Sequence, residues 1–281
     1  MGKYEIAVRI VDLSKKEEIE EILKDVSIKY IWSEVYGNFL LFNDKEIDDY
    51  KKFLKSNGLE IEQIHSVFGG DYDFSSPEQN TRAIIVEATK ISLIKLEEIK
   101  VKNFVIHCSA GVINKNEREE RIKILMDSIS RILPISEKTG IKIAIENSLY
   151  PETMIGTGEE IIRIIEEFNS PYLGVCFDTG HAHTIGKFKE EFIALKDKIF
   201  TFHLHDNDGE RDLHLPPIQG TIDWKWFIKE LKKSNYSGQL PIEIELPKYL
   251  KWSEVVSNMK KLVENDGEGE FLYGNRIIKI I

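Results

Sequence analysis

Cysteine is nearly absent from this chain of 281 residues: Cys108 and Cys176 stand alone and form no CxxC pair. Two isolated thiols cannot frame a disulfide-stapled fold, so a reducing cytoplasm is the expected setting. Long apolar runs are missing too; none approaches the ~20 residues that a membrane span needs. The opening Met1-Gly2-Lys3-Tyr4-Glu5 lacks the apolar stretch of a secretory signal, and Ile6 stands where N-myristoylation wants Ser or Thr. Basic residues are the minority, 38 against 48 acidic, for a net charge of −10. That balance lowers the expectation of a nucleic-acid partner, which usually calls for a basic face. There is no P-loop and no GxGxxG opening a helix; Gly69-Gly70 and Gly156-Thr157-Gly158 read as turns. No GxSxG elbow supports Cys108 as a nucleophile, and it reads as a small buried apolar residue. No Pro-, Gly- or Ser-rich linker interrupts residues 1–281, which read as a single domain whose 42% hydrophobic content suffices for one core.

What is present is a regular alternation. Short β-branched runs fall at 3–10, 28–34, 60–66, 103–108, 141–147, 173–179, 199–206 and 240–246. Amphipathic segments lie near 15–24, 44–56, 78–99, 117–137, 157–168, 187–197, 223–233 and 252–264. Strand and helix in strict turn predict a parallel sheet with crossover helices, and eight such units predict closure into a single (β/α)8 TIM barrel. Ser76-Pro77-Glu78 marks a helix start with Pro at the first helical position. Thr157-Gly158-Glu159-Glu160 places a cap and two carboxylates at the positive end of another helix dipole. After Gly267 no element is assigned; the apolar Ile277, Ile278, Ile280 and Ile281 predict a packed strand or a contact surface.

The strands stop on a consistent kind of residue. They end at His65, at His107, at Glu146-Asn147, at Asp178 with His181 one turn on, at His203-Leu204-His205-Asp206, and at Glu243-Ile244-Glu245. Period-two alternation turns Ile143 and Ile145 outward and Glu146 inward; it turns Phe202 and Leu204 outward and His203 and His205 inward. By the same count Glu243 and Glu245 both point into the lumen. Buried carboxylates and imidazoles are costly without partners, and six strands converging on one rim is the geometry of a barrel active site. Taken singly, several have structural readings: His65 as a structural histidine, Glu146 paired with Lys142, and Glu243 as an ion-paired carboxylate behind the site. His205 and His183 read either as supports behind a ligand or as substrate contacts. Trp32, Trp224 and Trp226 read as core, with a sugar pocket as the alternative. Together the strand ends predict a divalent-metal site; mixed imidazoles and carboxylates suit Zn, Mn, Fe or Co, with Zn or Mn preferred.

Several segments resemble the xylose isomerase-like barrel superfamily, which includes endonuclease IV and the sugar isomerases and epimerases. They are Phe104–His107, Ile145–Asn147, Cys176–His183, His203–Gly209, Gly220–Trp224 and Ile244-Glu245. The resemblance covers residues 60 to 250 and is most specific from Asp178 to Asp223. It implies a core metal set of Glu146, Asp178, His203 and Glu245, with Glu146 and Glu245 as an acid/base pair on opposite faces of a sugar or sugar phosphate. The endonuclease IV pattern adds His65, His107, His181, Asp212 and His214, all present here, and implies three ions acting on a phosphodiester at an abasic site of DNA. Against this, the loops Ser33–Asn38 and Phe68–Asp73 carry acids and no base, which disfavours a duplex. The expectation is therefore an isomerase or epimerase with one to three ions. The abasic-site phosphodiesterase is the alternative, and a non-catalytic sugar-binding barrel is a third class.

Overall fold

The alternating segments form eight parallel strands wrapped into a barrel. The computed structural model describes residues 4–281. Residues 1–3, with the expected first residue of strand one and most of the segment read for a leader or an acyl group, lie outside the described residues. The strands are β1 (Glu5–Ile10), β2 (Tyr30–Ser33), β3 (Glu60–His65), β4 (Asn103–Ile106), β5 (Lys142–Glu146), β6 (Leu173–Asp178), β7 (Ile199–His203) and β8 (Gln239–Ile242). They run in the order β7-β6-β5-β4-β3-β2-β1-β8. The ring closes between β7 and β8 at a parallel bridge from Leu204 to Ile242, where the Leu204 N–H donates to the Pro241 carbonyl at 2.9 Å.

Around the barrel lie α1 (Lys16–Asp25), α2 (Asp44–Ser56), α3 (Gln79–Glu97), α4 (Arg118–Thr139), α5 (Gly158–Phe168), α6 (Thr179–Thr184), α7 (Phe188–Leu195), α8 (Trp224–Lys233) and α9 (Trp252–Glu264). The cap expected at Thr157 is a complete capping box. Thr157 Oγ1 accepts from the Glu160 N–H, and the Glu160 carboxylate accepts from the Thr157 N–H. The start expected at Pro77 is not used: α3 begins at Gln79. The Ser76 and Pro77 carbonyls accept from the Arg82 guanidinium instead, and the first helical bond runs from the Arg82 N–H to the Glu78 carbonyl. Among the described residues no helix is long and apolar enough to cross a membrane.

Outward side chains of the strands (Ile6, Val8, Ile64, Phe104, Ile143, Phe202) join the helices in one continuous core. The lumen is filled separately, by Ala7 with Tyr30 and Trp32, and by Val105, Ala144 and Cys176 against Phe200. Two irregularities shape this filling. Ile31 pairs with Ile61 and Trp32 with Gln63, which leaves Glu62 as an extra residue on β3; Val175 pairs with Ile199 and Cys176 with Thr201, which leaves Phe200 extra on β7. Tail residues after Gly267 make an antiparallel hairpin of β9 (Gly269–Tyr273) and β10 (Arg276–Ile280). It is anchored by buried Phe271 and Tyr273, whose hydroxyl donates to the Pro217 carbonyl at 2.9 Å, while Ile277 and Ile281 stay exposed.

The bulged Glu62 is buried inside the barrel, with its carboxyl against Thr201 Oγ1 and Asn103 Nδ2 at 2.9 Å each. Burial pushes this carboxyl up to about 8 from an ordinary 4.5, against the opposing effect of those two hydrogen bonds. A protonated Glu62 can donate to Thr201 Oγ1, whose own proton then goes to Gln63 Oε1 at 2.6 Å. The folded chain thus holds a proton that the unfolded chain releases near its ordinary value. Its contribution to stability is complete at low pH and is lost as pH rises toward about 8. Relative to Glu62→Gln, the wild type should lose unfolding free energy steadily between about pH 5 and 8 in urea titrations; parallel curves for the two proteins would refute the assignment.

Candidate metal centre and pocket

Glu146, at the end of β5, is the hub of the C-terminal rim. Its Oε2 lies 3.0 Å from His65 Nε2 and 3.1 Å from His107 Nε2. Its Oε1 lies 3.3 Å from both His203 Nδ1 and His181 Nδ1. His203 Nδ1 in turn stands 3.2 Å from Glu243 Oε2 and 3.8 Å from Asp178 Oδ2. Asp178 also caps α6 by accepting from the His181 N–H at 2.6 Å, and receives His205 Nε2 at 3.1 Å. Asp212 closes the outer side, 3.1 Å from His214 Nε2 and 3.6 Å from His181 Nε2.

Neighbouring groups hold these side chains in place. His65 Nδ1 donates to the Ser66 carbonyl at 2.7 Å, which leaves Nε2 facing Glu146. Asn147 ties β5 to β6 through both its amide atoms and the backbone of Asp178. Trp32 lies under the His203 ring at 5.0 Å and donates to the Ile242 carbonyl. Asp212 and His214 ride on a loop folded back over the rim. There Asp206 pairs with Leu215 through two backbone bonds, and its carboxylate accepts from Trp224 Nε1 at 2.7 Å. Gly220 closes that loop; a Cβ there would fall 2.1 Å from the Asn207 carbonyl oxygen.

The electrostatics fit a cation. Burial, followed by the charges of Asp178 and Glu146, pushes the Glu243 carboxyl well above its usual range. Burial pushes Glu146 in the same direction, but the His203 and His107 imidazoles outweigh it and hold Glu146 well below the carboxylate range. Asp178 is drawn down to about 2, where burial is overcome by His181 and His205. Buried polar atoms without a hydrogen-bond partner gather here: both His203 nitrogens, Glu243 Oε2 and Asp212 Oδ1. Lone pairs and carboxylates aimed at common points fit divalent ions. The triads His65/His107/Glu146, Glu146/Asp178/His181 and His205/Asp212/His214 each have donor atoms within 4.8 Å of one another.

Most of the sequence-predicted residues are brought together: His65, His107, Glu146, Asp178, His181, His203, Asp212 and His214, with His205 among them. Glu245 is not. Regular pairing of β8 ends at Ile242, so the alternation that pointed both glutamates inward does not carry to Glu245, which is exposed at the rim. Glu243, expected behind the site, is buried inside it. His183 also lies elsewhere. It turns away on α6, bonding Thr221 Oγ1 at 2.8 Å and packing edge-on to Phe188. Lys142 cannot reach Glu146, because it sits at the start of β5 with Nζ over the Phe200 ring. Trp224 and Trp226 pack in and around the core outside the pocket.

The cluster forms the floor of a cavity of about 490 Å³. Its lining also includes apolar Leu149, Met154 and Ile155, the exposed Tyr150, and Phe68, whose ring packs on His65 and His107 at 5.0 and 4.9 Å. The wall also contains Arg9, which sequence reasoning missed. Its guanidinium pairs with Glu34 at 3.0 Å and reaches the Ile244 carbonyl. The signal was available in the alternation of β1, where Ala7 and Arg9 share the face opposite to Ile6, Val8 and Ile10.

A parallel eight-stranded barrel with polar side chains clustered at the C-terminal ends of its strands is the architecture of a barrel enzyme. The family described as xylose isomerase-like TIM barrel matches residues 28–263, and the chain belongs to that family. The uncharacterised protein MJ1311 of Methanocaldococcus jannaschii is 30% identical over 64% of this chain and 63% of its own length, so this match spans less than two thirds of the relative. A protein named Probable endonuclease 4, from Mycoplasmopsis pulmonis, is 25% identical over 75% of this chain and 80% of its own. Among solved structures, a D-tagatose 3-epimerase-like protein superposes with a TM-score of 0.77 at 25% identity, covering 92% of this chain and 96% of its own.

Removing a bound ion should leave Glu146, Asp178 and Glu243 to repel one another. An ion present at a hundred times its Kd stabilises by about 2.7 kcal/mol, so chelation should lower the Tm by several degrees. Glu243→Gln should raise the Tm of the chelated protein while weakening ion retention. A melting curve unaltered by chelation, in protein shown to have lost its metal, would contradict this account.

Proposed function

We propose that the chain is a divalent-metal-dependent isomerase or epimerase of a small sugar or sugar phosphate, with Glu146 and Glu243 as its acid/base pair. The observation that carries this reading is the charge of the cavity wall. Besides the imidazoles of the cluster it holds one cationic side chain, Arg9, already paired with Glu34, against the carboxylates of Glu34, Glu146, Asp212, Glu243 and Glu245. Such a wall favours a neutral polyhydroxylated substrate over a polyanion, which needs several cationic contacts. A small phosphorylated sugar could still place its single phosphate toward Arg9.

Glu146, His203, Asp178 and Glu243 would hold the inner ion, with Zn or Mn best suited to the donors. When bound, that ion supplies Lewis-acid polarisation of adjacent substrate oxygens. Glu146 follows β5 and Glu243 follows β8, with β6 and β7 between them in the ring, and the two flank His203 Nδ1 at 3.3 and 3.2 Å. One carboxylate is placed to remove the proton from the carbon next to a carbonyl, and the other to return a proton to the opposite face. The apolar wall of Phe68, Met154 and Ile155 shields the carbon skeleton from water.

A second reading has its own support. Eight of the nine residues of the endonuclease IV-like pattern lie in one contiguous cluster, and Glu243 supplies the ninth position in place of Glu245. That set would suit hydrolysis of an abasic-site phosphodiester with three ions. Metal-loaded protein should therefore be incubated with a duplex carrying one abasic site, with and without chelator, and in parallel with ketoses and ketose phosphates in deuterated water. Deuterium incorporation beside the carbonyl without incision supports the isomerase; chelator-sensitive incision on the 5′ side without exchange overturns it. Glu146→Gln and Glu243→Gln should each cut turnover by about 10²–10⁴-fold.

A further inference from the structure

Arg9 and Glu34 line the cavity beside the imidazole and carboxylate cluster and belong to none of its triads. Arg9 projects inward from β1, between β2 and β8 in the ring, and Glu34 follows β2. Arg9 Nη1 donates to the Ile244 carbonyl beyond β8 at 3.3 Å, and Nε stands 3.0 Å from Glu34 Oε1. Glu34 is carried on a fixed turn, where the Val35 carbonyl accepts from Ser33 Oγ and from the Leu13 N–H, each at 2.8 Å. The two side chains are only 19 and 18% exposed. Even so, their hydrogen-bonding capacity is largely unused. Arg9 Nε is buried without an aligned acceptor; among the described residues Nη2 donates to no acceptor and the Glu34 carboxylate accepts from no aligned donor. An ion pair this sheltered repays its desolvation only when its remaining donors and lone pairs are satisfied. What it offers the cavity is a donor and an acceptor side by side, both set on the barrel wall.

We propose that Arg9 and Glu34 form a subsite for two neighbouring hydroxyls of the substrate, and that the substrate is a neutral sugar carrying no phosphate at that end. The inference rests on the isomerase or epimerase reading above and narrows its substrate. A hydroxyl both donates and accepts, so one can accept from Arg9 Nη2 while its neighbour donates to Glu34. A phosphate dianion has no proton to give Glu34 and brings its charge against that carboxylate. The charge of Arg9 is already balanced by Glu34, so it cannot neutralise a second anion as well. Glu245 lines the same cavity and adds to the repulsion.

The test measures deuterium exchange from solvent, in metal-loaded protein, into ketopentoses and ketohexoses and into their terminal phosphates. The wild type should show a kcat/KM at least ~10-fold higher for the free sugars, the scale of one hydrogen bond to a charged group. Glu34→Gln should raise KM for the free sugars about 10-fold, more than it lowers kcat, and bring the phosphates closer to parity. The double variant Arg9→Gln/Glu34→Gln leaves no buried charge unpaired and decides if the single variant fails to fold. It should show the same rise in KM and no discrimination against phosphates. A wild type that prefers the phosphates, or a folded double variant with unaltered KM and selectivity, overturns the subsite alone. Exchange into none of the sugars overturns the isomerase reading. The subsite is then judged by calorimetric titration of hexitols, which should bind the wild type and not the double variant; equal binding to both, or binding to neither, overturns it too.

Discussion

The structure depends on one electrostatic constraint: three carboxylates, Glu146, Asp178 and Glu243, are buried around a single imidazole nitrogen, His203 Nδ1. Carboxylates that close cannot all ionise without a cation among them. The features of the rim answer to that crowding. Glu146 is ringed by four histidines, Asn147 clamps the ends of β5 and β6 at a fixed separation, and Trp32 backs the His203 ring. The far end of the lumen is built on the opposite principle. Its one buried acid, Glu62, is accommodated as a neutral group by hydrogen bonds and apolar packing against Phe200 and Tyr30 keeps that end closed. Charge is concentrated where the chain can hold ions and removed where it cannot.

The fold was legible because its signal is long-range and repeated. Seven strands fall inside the expected segments and β8 overlaps its own, starting one residue early, since buried parallel strands require continuous apolar faces and their crossover helices require amphipathic ones. The strand-end ligands were legible for the same reason: alternation assigns faces wherever a strand is regular. It fails where regularity fails. Beyond Ile242 the ladder ends, so counting by twos put Glu245 among the ligands, whereas it stands exposed at the edge of the cavity, outside the imidazole and carboxylate cluster. The extra residues Glu62 and Phe200 were invisible to a period of two, because a bulge inserts one residue without any compositional mark. His183 read as a support behind a ligand or as a substrate contact. Two positions along a helix, however, place side chains on different faces, and Thr221 takes the imidazole instead.

Arg9 was missed for a different reason. A cation on the inward face of β1 has no metal-ligand chemistry, so a search for ligands passes over it. Yet it is the residue that sets the balance of charge at the mouth. Paired with Glu34, it offers only part of its guanidinium to a substrate, and the remaining wall is acidic or apolar. The number of potential ligands and the number of available cations thus point toward different substrates. Many ligands allow several ions and phosphoester chemistry; few cations disfavour a long polyanion.

These two tendencies are reconciled if the ligands are not equivalent. In the inner group Glu243 Oε2 is buried without a hydrogen-bond partner, and Glu146 and Glu243 line the cavity; Asp212 of the outer group also has an unpartnered oxygen, Oδ1, and lines the cavity too. The outer group is dominated by imidazoles. Two of these, His205 and His214, stack face to face, and they lie on a loop that Asp206, Trp224 and Gly220 already hold rigidly over the rim. Ligand count alone is therefore a poor guide to reaction class in this barrel. What bears on it is which groups meet the cavity, and these are Glu146, Glu243 and Asp212 with the cluster's imidazoles, beside Arg9.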